Sequence, residues 1–110
     1  MNTRHTVCTL AEIGDGTVKR VLIGNVEIAV VRIDDKVYAI GDRCSNANVS
    51  LSEGEVHRDT KELECVKHGS AFSLETGIPS SLPATQPVPV YTAEVVDGDV
   101  VITISNGITP

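Results

Sequence analysis

Nowhere along the 110 residues does an apolar repeat of helical period last beyond a couple of turns, whereas short β-branched runs recur from end to end. Thr6 to Leu10, Val18 to Ile23, Val26 to Ile33, Val37 to Ile40, Val90 to Val96 and Val100 to Ile104 are all of strand length. Turn residues separate them: Gly14-Asp15-Gly16, Gly24-Asn25, Asp34-Asp35 and Asp97-Gly98-Asp99. Gly24-Asn25 falls at hairpin spacing between two apolar runs. Alternation is clearest at the end, where Val100, Ile102 and Ile104 share one face and Val101, Thr103 and Ser105 the other. These signals predict an all-β chain built on two small antiparallel sheets. With only 3% aromatic residues (Tyr38, Phe72, Tyr91), its core must come from Val, Ile and Leu.

Between Gly41 and Pro89 the texture changes. Ser, Gly, Asn and Pro become frequent, and only Gly54 to His57 and Glu62 to Val66 read as brief strands. A loop-rich insertion this long is functional or disordered, and the internal strands argue for function. Pro79, Pro83, Pro87 and Pro89 stiffen the return to the last hairpin. The length suits one core, so the expectation is a single domain over 1–110. It divides into a β frame (1–40 and 90–110) and a lobe of loops (41–89).

The formal charge of −6 makes the chain a poor match for phosphate backbones. No apolar run approaches the roughly 20 residues that span a bilayer, and Met1 to Leu10 has no continuous apolar stretch of the secretory kind. A soluble, cytoplasmic protein is expected, with no nucleic-acid or membrane partner. Three cysteines without a secretory leader point to thiols or metal ligands instead of a disulfide framework.

Two of those cysteines sit in the lobe. One opens Cys44-Ser45-Asn46; the other opens Cys65-Val66-Lys67-His68, followed by Gly69-Ser70-Ala71-Phe72 and Thr76-Gly77. Cys-x-x-His puts a thiolate and an imidazole at the two ends of one tight turn. Gly69 has no Cβ to keep backbone away from what lies there. Two such loops brought together offer sulfur and nitrogen donors, which suit zinc or an iron–sulfur cluster and not calcium or magnesium.

At these residues the chain resembles Rieske-type ferredoxins, whose signature is Cys-x-His, a spacer, then Cys-x-x-His-Gly. The resemblance runs over nearly the whole chain. Val7-Cys8-Thr9-Leu10 and Val37-Tyr38-Ala39-Ile40 look like the family's lead-in strands, and Leu51-Ser52-Glu53-Gly54 like the exit from its first ligand loop. Leu82-Pro83-Ala84 looks like the Pro-containing covering loop, and Pro89-Val90-Tyr91 like the start of the closing hairpin. More narrowly, the chain is similar to Rieske-like ferredoxins encoded beside iron–sulfur assembly genes. The resemblance implies an all-β Rieske-like fold, a [2Fe–2S] cluster and one-electron transport between protein redox partners, a reductase or an acceptor. It implies no catalysis on the chain and no small-molecule substrate. Family members bind one iron through two cysteines and the other through two histidines. Carried over, Cys44 and Cys65 hold the first iron and His68 the second.

The remaining histidine position is Asn46, a neutral amide and a far poorer donor to iron. Three outcomes stay open at this point. The cluster binds with Asn46, water or another group completing the second iron. Alternatively, a single zinc or iron sits on Cys44, Cys65 and His68; or the fold is empty and serves as a scaffold, in cluster assembly for example. With one imidazole fewer, a bound cluster should show weaker pH dependence of its potential than a two-histidine site.

Other candidates have plainer readings. Cys8, inside a strand, reads as a small buried hydrophobe, and Phe72 as a core anchor. His57 lies in a polar turn and His5 near the exposed terminus. Glu53 and Glu55 are solvated carboxylates that would steer a basic partner only if the partner docks beside them.

Overall fold

The computed structural model describes residues 2–105, so Met1 and 106–110 of the expected domain lie outside the described residues. Nine strands follow in order: β1 (Asn2–Thr9), β2 (Val18–Ile23), β3 (Val26–Ile33), β4 (Lys36–Gly41), β5 (Glu55–His57), β6 (Glu62–Glu64), β7 (Ala71–Ser73), β8 (Val90–Val96) and β9 (Asp99–Ser105). The frame is one six-stranded antiparallel sheet in the order β1-β9-β8-β4-β3-β2, not two separate ones. The join is β8. Its first residues, Val90 and Tyr91, pair with Ile40 and Ala39, while Thr92 to Val96 pair with β9. A second sheet, β5-β6-β7, carries the lobe.

The first strand begins earlier than its apolar residues suggest, because pairing with β9 extends from Asn2 opposite Ser105 to Thr9 opposite Asp99. It ends at Thr9, where the Glu12 carboxylate accepts the Thr9 N–H at 2.8 Å and turns Leu10–Glu12 into a short 3-10 helix. Register shifts between Thr6 and Cys8. That bulge lets Val7 and Cys8, neighbours in sequence, both face the same core. His5 is half-buried instead of solvent-exposed, its Nε2 2.9 Å from the Thr3 hydroxyl.

β3 is the middle of the molecule. Its run from Val26 to Ile33 is nearly continuous in apolar residues because both faces are covered. Ile28 and Val30 join Ile13, Val21, Val37, Ala39, Val100 and Ile102 in a core inside the frame. Ala29, Val31 and Ile33 face the other way, against Leu51, Leu63, Phe72, Leu74, Ala84 and Val88 of the lobe. The lobe therefore has no separate core of its own. A bridge of ions adds to this packing: Arg58, in the β5–β6 turn, donates to Asp15 and Asp34 of the frame at 3.2 and 2.8 Å.

Candidate metal centre

Each ligand loop is shaped by local backbone closure. The first, residues 43–50, leaves β4 at Asp42 and returns at Leu51. Its neck is closed by Leu51 N–H on the Asp42 carbonyl at 2.5 Å, and its interior by Cys44 N–H on the Val49 carbonyl at 3.1 Å. The second loop is the β6–β7 hairpin turn. Cys65 continues the inward face set by Leu63, two residues before it, and both are buried. Cys65 N–H donates to the Ser70 carbonyl at 2.7 Å and Gly69 N–H to the Cys65 carbonyl at 3.0 Å, which leaves 66–69 as the turn. Gly69 adopts φ +79°, a conformation that L side chains rarely take.

A third segment, the Pro-rich return, lies across both loops. Ser81 donates to the Gly69 carbonyl at 3.5 Å, Ala84 N–H donates to the Ser70 hydroxyl at 3.0 Å, and Ser45 donates to the Gln86 carbonyl at 2.6 Å. The second ligand loop is thus tied to residues 81–84 of the strap and the first to Gln86.

The structure brings Cys44 and Cys65 together. Both are buried in one core cluster, only 4% and 1% exposed. Burial raises the Cys44 thiol above its ordinary value. The backbone N–H of Asn46, aimed at the sulfur, opposes the rise; Cys65 adds to it and the N–H of Ala47 opposes it again. The neutral Cys44 thiol is favoured there, and the neighbouring backbone N–H groups favour the thiolate, the form that binds metal. His68 and Asn46 lie outside the buried pair, both exposed at the loop tips. Among the described residues, no three His, Cys, Asp or Glu side chains gather as ligands to one ion. Two sheltered sulfurs and an exposed imidazole on the same pair of loops fit the chemistry of a centre with a sulfur end and a nitrogen end. The donor set matches a [2Fe–2S] cluster at three positions and is weak at Asn46.

The remaining candidates are placed elsewhere. Cys8 is buried in the frame core, and Phe72, fully buried, anchors the lobe core. His57 points at Glu64, Nε2 to Oε1 2.7 Å, and this contact raises its pKa against the opposing effect of burial. Glu53 and Glu55 are exposed. Three contributors escape sequence reasoning: Ser45, Ser70 and Asp42. Only Asp42 leaves a trace in the sequence, as an acid immediately after an apolar strand. Around the tips, Val66 and Leu82 are 57% and 78% exposed, an apolar rim on an acidic protein.

Comparison with known proteins identifies this architecture. A model of the Rieske [2Fe-2S] domain matches residues 3–92. Ferredoxin CarAc of Metapseudomonas resinovorans is 40% identical over 97 residues, covering 87% of this chain and 89% of its own. The 3-phenylpropionate/cinnamic acid dioxygenase ferredoxin subunit of Photorhabdus laumondii is 40% identical over 99 residues, covering 90% and 92%. Among solved structures, a complex of reduced oxygenase and oxidized ferredoxin in carbazole 1,9a-dioxygenase matches with TM-score 0.82 and 38% identity, over 90% of this chain and 91% of that one. A family model matched over residues 3–92, a shared fold and sequence identity across almost the full length lead to one conclusion: the chain belongs to the Rieske [2Fe–2S] ferredoxin family.

Proposed function

We propose that this small [2Fe–2S] electron carrier delivers single electrons to the oxygenase component of a dioxygenase system. The electron carrier itself follows from family membership. The oxygenase partner is suggested by the relatives' names and by the complex of ferredoxin with oxygenase. Those names favour an oxygenase over the cluster-assembly partner expected from the narrower resemblance. In the same proposal, Cys44 and Cys65 hold one iron, and His68 holds the other with Asn46 in the second histidine's place. The chain is read as one domain, because β3 packs into both cores. A cytoplasmic setting accords with three free cysteines.

The observation that carries the reading is the pair of buried cysteines in one core cluster, on loops that leave His68 exposed. When bound, the cluster supplies a reversible one-electron store. The chain keeps the sulfur end dry, directs N–H groups at Cys44 and leaves the imidazole end where a docked protein reaches it. The apolar rim at Val66 and Leu82 offers such a protein an uncharged landing surface.

Asn46 is the one feature that favours a second reading, a cluster-free scaffold. Iron, acid-labile sulfide and the visible spectrum of anaerobically reconstituted protein separate the two. Two irons per chain and a spectrum that bleaches on reduction are expected; colourless, iron-free protein would overturn the carrier. Asn46→His should retain iron longer and couple its potential to two protons at alkaline pH, where the native chain couples one. Equal two-proton behaviour in both proteins would remove Asn46 from the ligand set.

A further inference from the structure

Among the described residues Asp42 and Ser70 are the two buried polar or charged ones, and the Asp42 carboxylate is completely enclosed. Every group it offers is used. Its N–H donates to the Glu27 carbonyl at 3.0 Å, and its carbonyl accepts Leu51 N–H. One carboxylate oxygen accepts Ser52 N–H at 2.9 Å and the other accepts Arg20 Nε–H at 3.0 Å. Residue 42 thus grips both sides of the neck of the first ligand loop and, through Arg20 of β2, fixes that neck to the frame. A second line of contacts runs beside it. Glu27 accepts from Arg20 at 3.1 Å and from Arg43 at 3.0 Å, and Arg43 also donates to the Asn48 side chain at 2.9 Å inside the loop. Two carboxylates and two guanidiniums form a neutral quartet at the root of the loop that carries Cys44 and Asn46.

Burying a carboxylate is costly unless it is paired and hydrogen-bonded, and a packed apolar residue would close the same neck at less cost. What the ionic quartet adds is directional: it fixes the loop's angle to the frame as well as its closure. We propose that Asp42, held by Arg20, is the positioning residue that sets the first ligand loop, so that Cys44 stays against Cys65 even though the loop's second donor is only an amide. The proposal rests on the ligand assignment above. A donor as weak as Asn46 cannot draw its own loop onto iron, so the loop has to be positioned by the protein beforehand.

The test uses four variants: Asp42→Asn, Arg20→Ala, Arg20→Lys and, as control, Arg4→Ala, which removes an exposed ion pair with Glu94 on the far part of the frame. Asp42→Asn keeps an acceptor for Ser52 N–H but turns an amide towards Arg20. In iron-loaded protein, transfer of iron to a ferrous chelator should quicken about tenfold or more in Asp42→Asn and Arg20→Ala, the scale of one lost charged hydrogen bond. Arg20→Lys should recover part of that, and Arg4→Ala should match the native rate. The paramagnetic spectrum of the reduced protein should shift in the first two variants alone. In cluster-free protein, alkylation of Cys44 by iodoacetamide should quicken in the same order, which reads the loop without any cluster. Native release, native spectra and native alkylation in Asp42→Asn and Arg20→Ala would overturn the proposal, as would an equal change in Arg4→Ala. A native protein that never binds iron yet shows this alkylation order would sink the carrier reading and leave the positioning role standing.

Discussion

Gly54 is where the exit from the first ligand loop meets the backbone of β6 just before Cys65. It follows the short 3-10 helix Leu51–Glu53 and donates its N–H to the Leu51 carbonyl at 2.9 Å. Its φ of −91° is open to any residue, so conformation is not what demands glycine. Space is: a Cβ here would sit 1.7 Å from the carbonyl oxygen of Glu64, the residue before Cys65. Real Cβ atoms essentially never come within 3.0 Å of such a neighbour. Gly54→Ala therefore has to drive the two backbones apart by at least about 1.3 Å, the gap between 1.7 and 3.0 Å. Overpacking of this kind costs about 1–3 kcal/mol, or a fall in Tm of about 5–15 °C for a domain of this size. Metal sites tolerate only about 0.2 Å at their ligands, so iron binding should suffer more than folding. The variant should fold, melt early and retain less than about a tenth of native iron under anaerobic reconstitution, by the same tolerance argument. Gly14→Ala is the control, because its Cβ would meet Thr17 at an ordinary 3.4 Å. Full iron content with a native visible spectrum in Gly54→Ala would refute the claim that this approach positions Cys65.

Phe72 is fully buried beneath both loops, and Phe72→Ala should cost about 3–5 kcal/mol in urea unfolding, with iron lost in step; a change below about 1 kcal/mol would show that the site collapses around the gap. His57 gains its partner on folding, so its pKa lies above the ordinary value, through the Glu64 contact first. A raised value means that the stabilisation is fully present below about pH 6.5 and is lost as pH rises through the folded pKa. The native Tm should thus fall from pH 6 to pH 8 more steeply than that of His57→Gln, and parallel profiles would dismiss the pair. Leu82 is 78% exposed, so Leu82→Asp should change Tm and spectrum negligibly. Reduction of the proposed oxygenase partner in stopped flow should nevertheless slow about tenfold or more, as for loss of an apolar anchor; an unchanged rate would place docking elsewhere.

How much was legible follows the physics of each signal. Period-2 alternation located β9, and the Gly24-Asn25 turn between two apolar runs located the hairpin of β2 and β3. β1 escaped at its start, since Asn2-Thr3-Arg4-His5 is polar and becomes strand only through pairing with β9. The merging of the frame into one sheet was hidden for the same reason: which strands β8 bridges depends on partners far away in sequence. At the site, ligand types and spacing were plain, as chemistry limits which residues bind iron. The supports were not. Ser45, Ser70 and Asp42 act through hydrogen bonds to residues 10 to 41 positions away, and beyond the acid that follows an apolar strand at Asp42 nothing in their local pattern marks them. β7 was likewise missed as a strand, since Ala71 to Ser73 is three residues long and owes its conformation to pairing with β6.

The shared central strand explains how so short a lobe can hold a demanding site. Three strands of three residues each would not be stable alone, and the lobe's core residues share one cluster with Ala29, Val31 and Ile33. Those side chains alternate with Ile28 and Val30 on the same backbone, which the frame core grips from the other side. Displacing one face of β3 therefore disturbs the packing of the other, as interiors packed to crystal density transmit strain instead of absorbing it. Lobe and frame should accordingly unfold in one transition, with the ligand loops gaining rigidity from a sheet to which they contribute no strand. Under this coupling, Val30→Ala, which touches only the frame core, should quicken iron release along with lowering the unfolding midpoint. If it lowers the midpoint and leaves release at the native rate, the lobe is stabilised by its own strap and the ionic root of its first loop, and β3 is a wall without leverage.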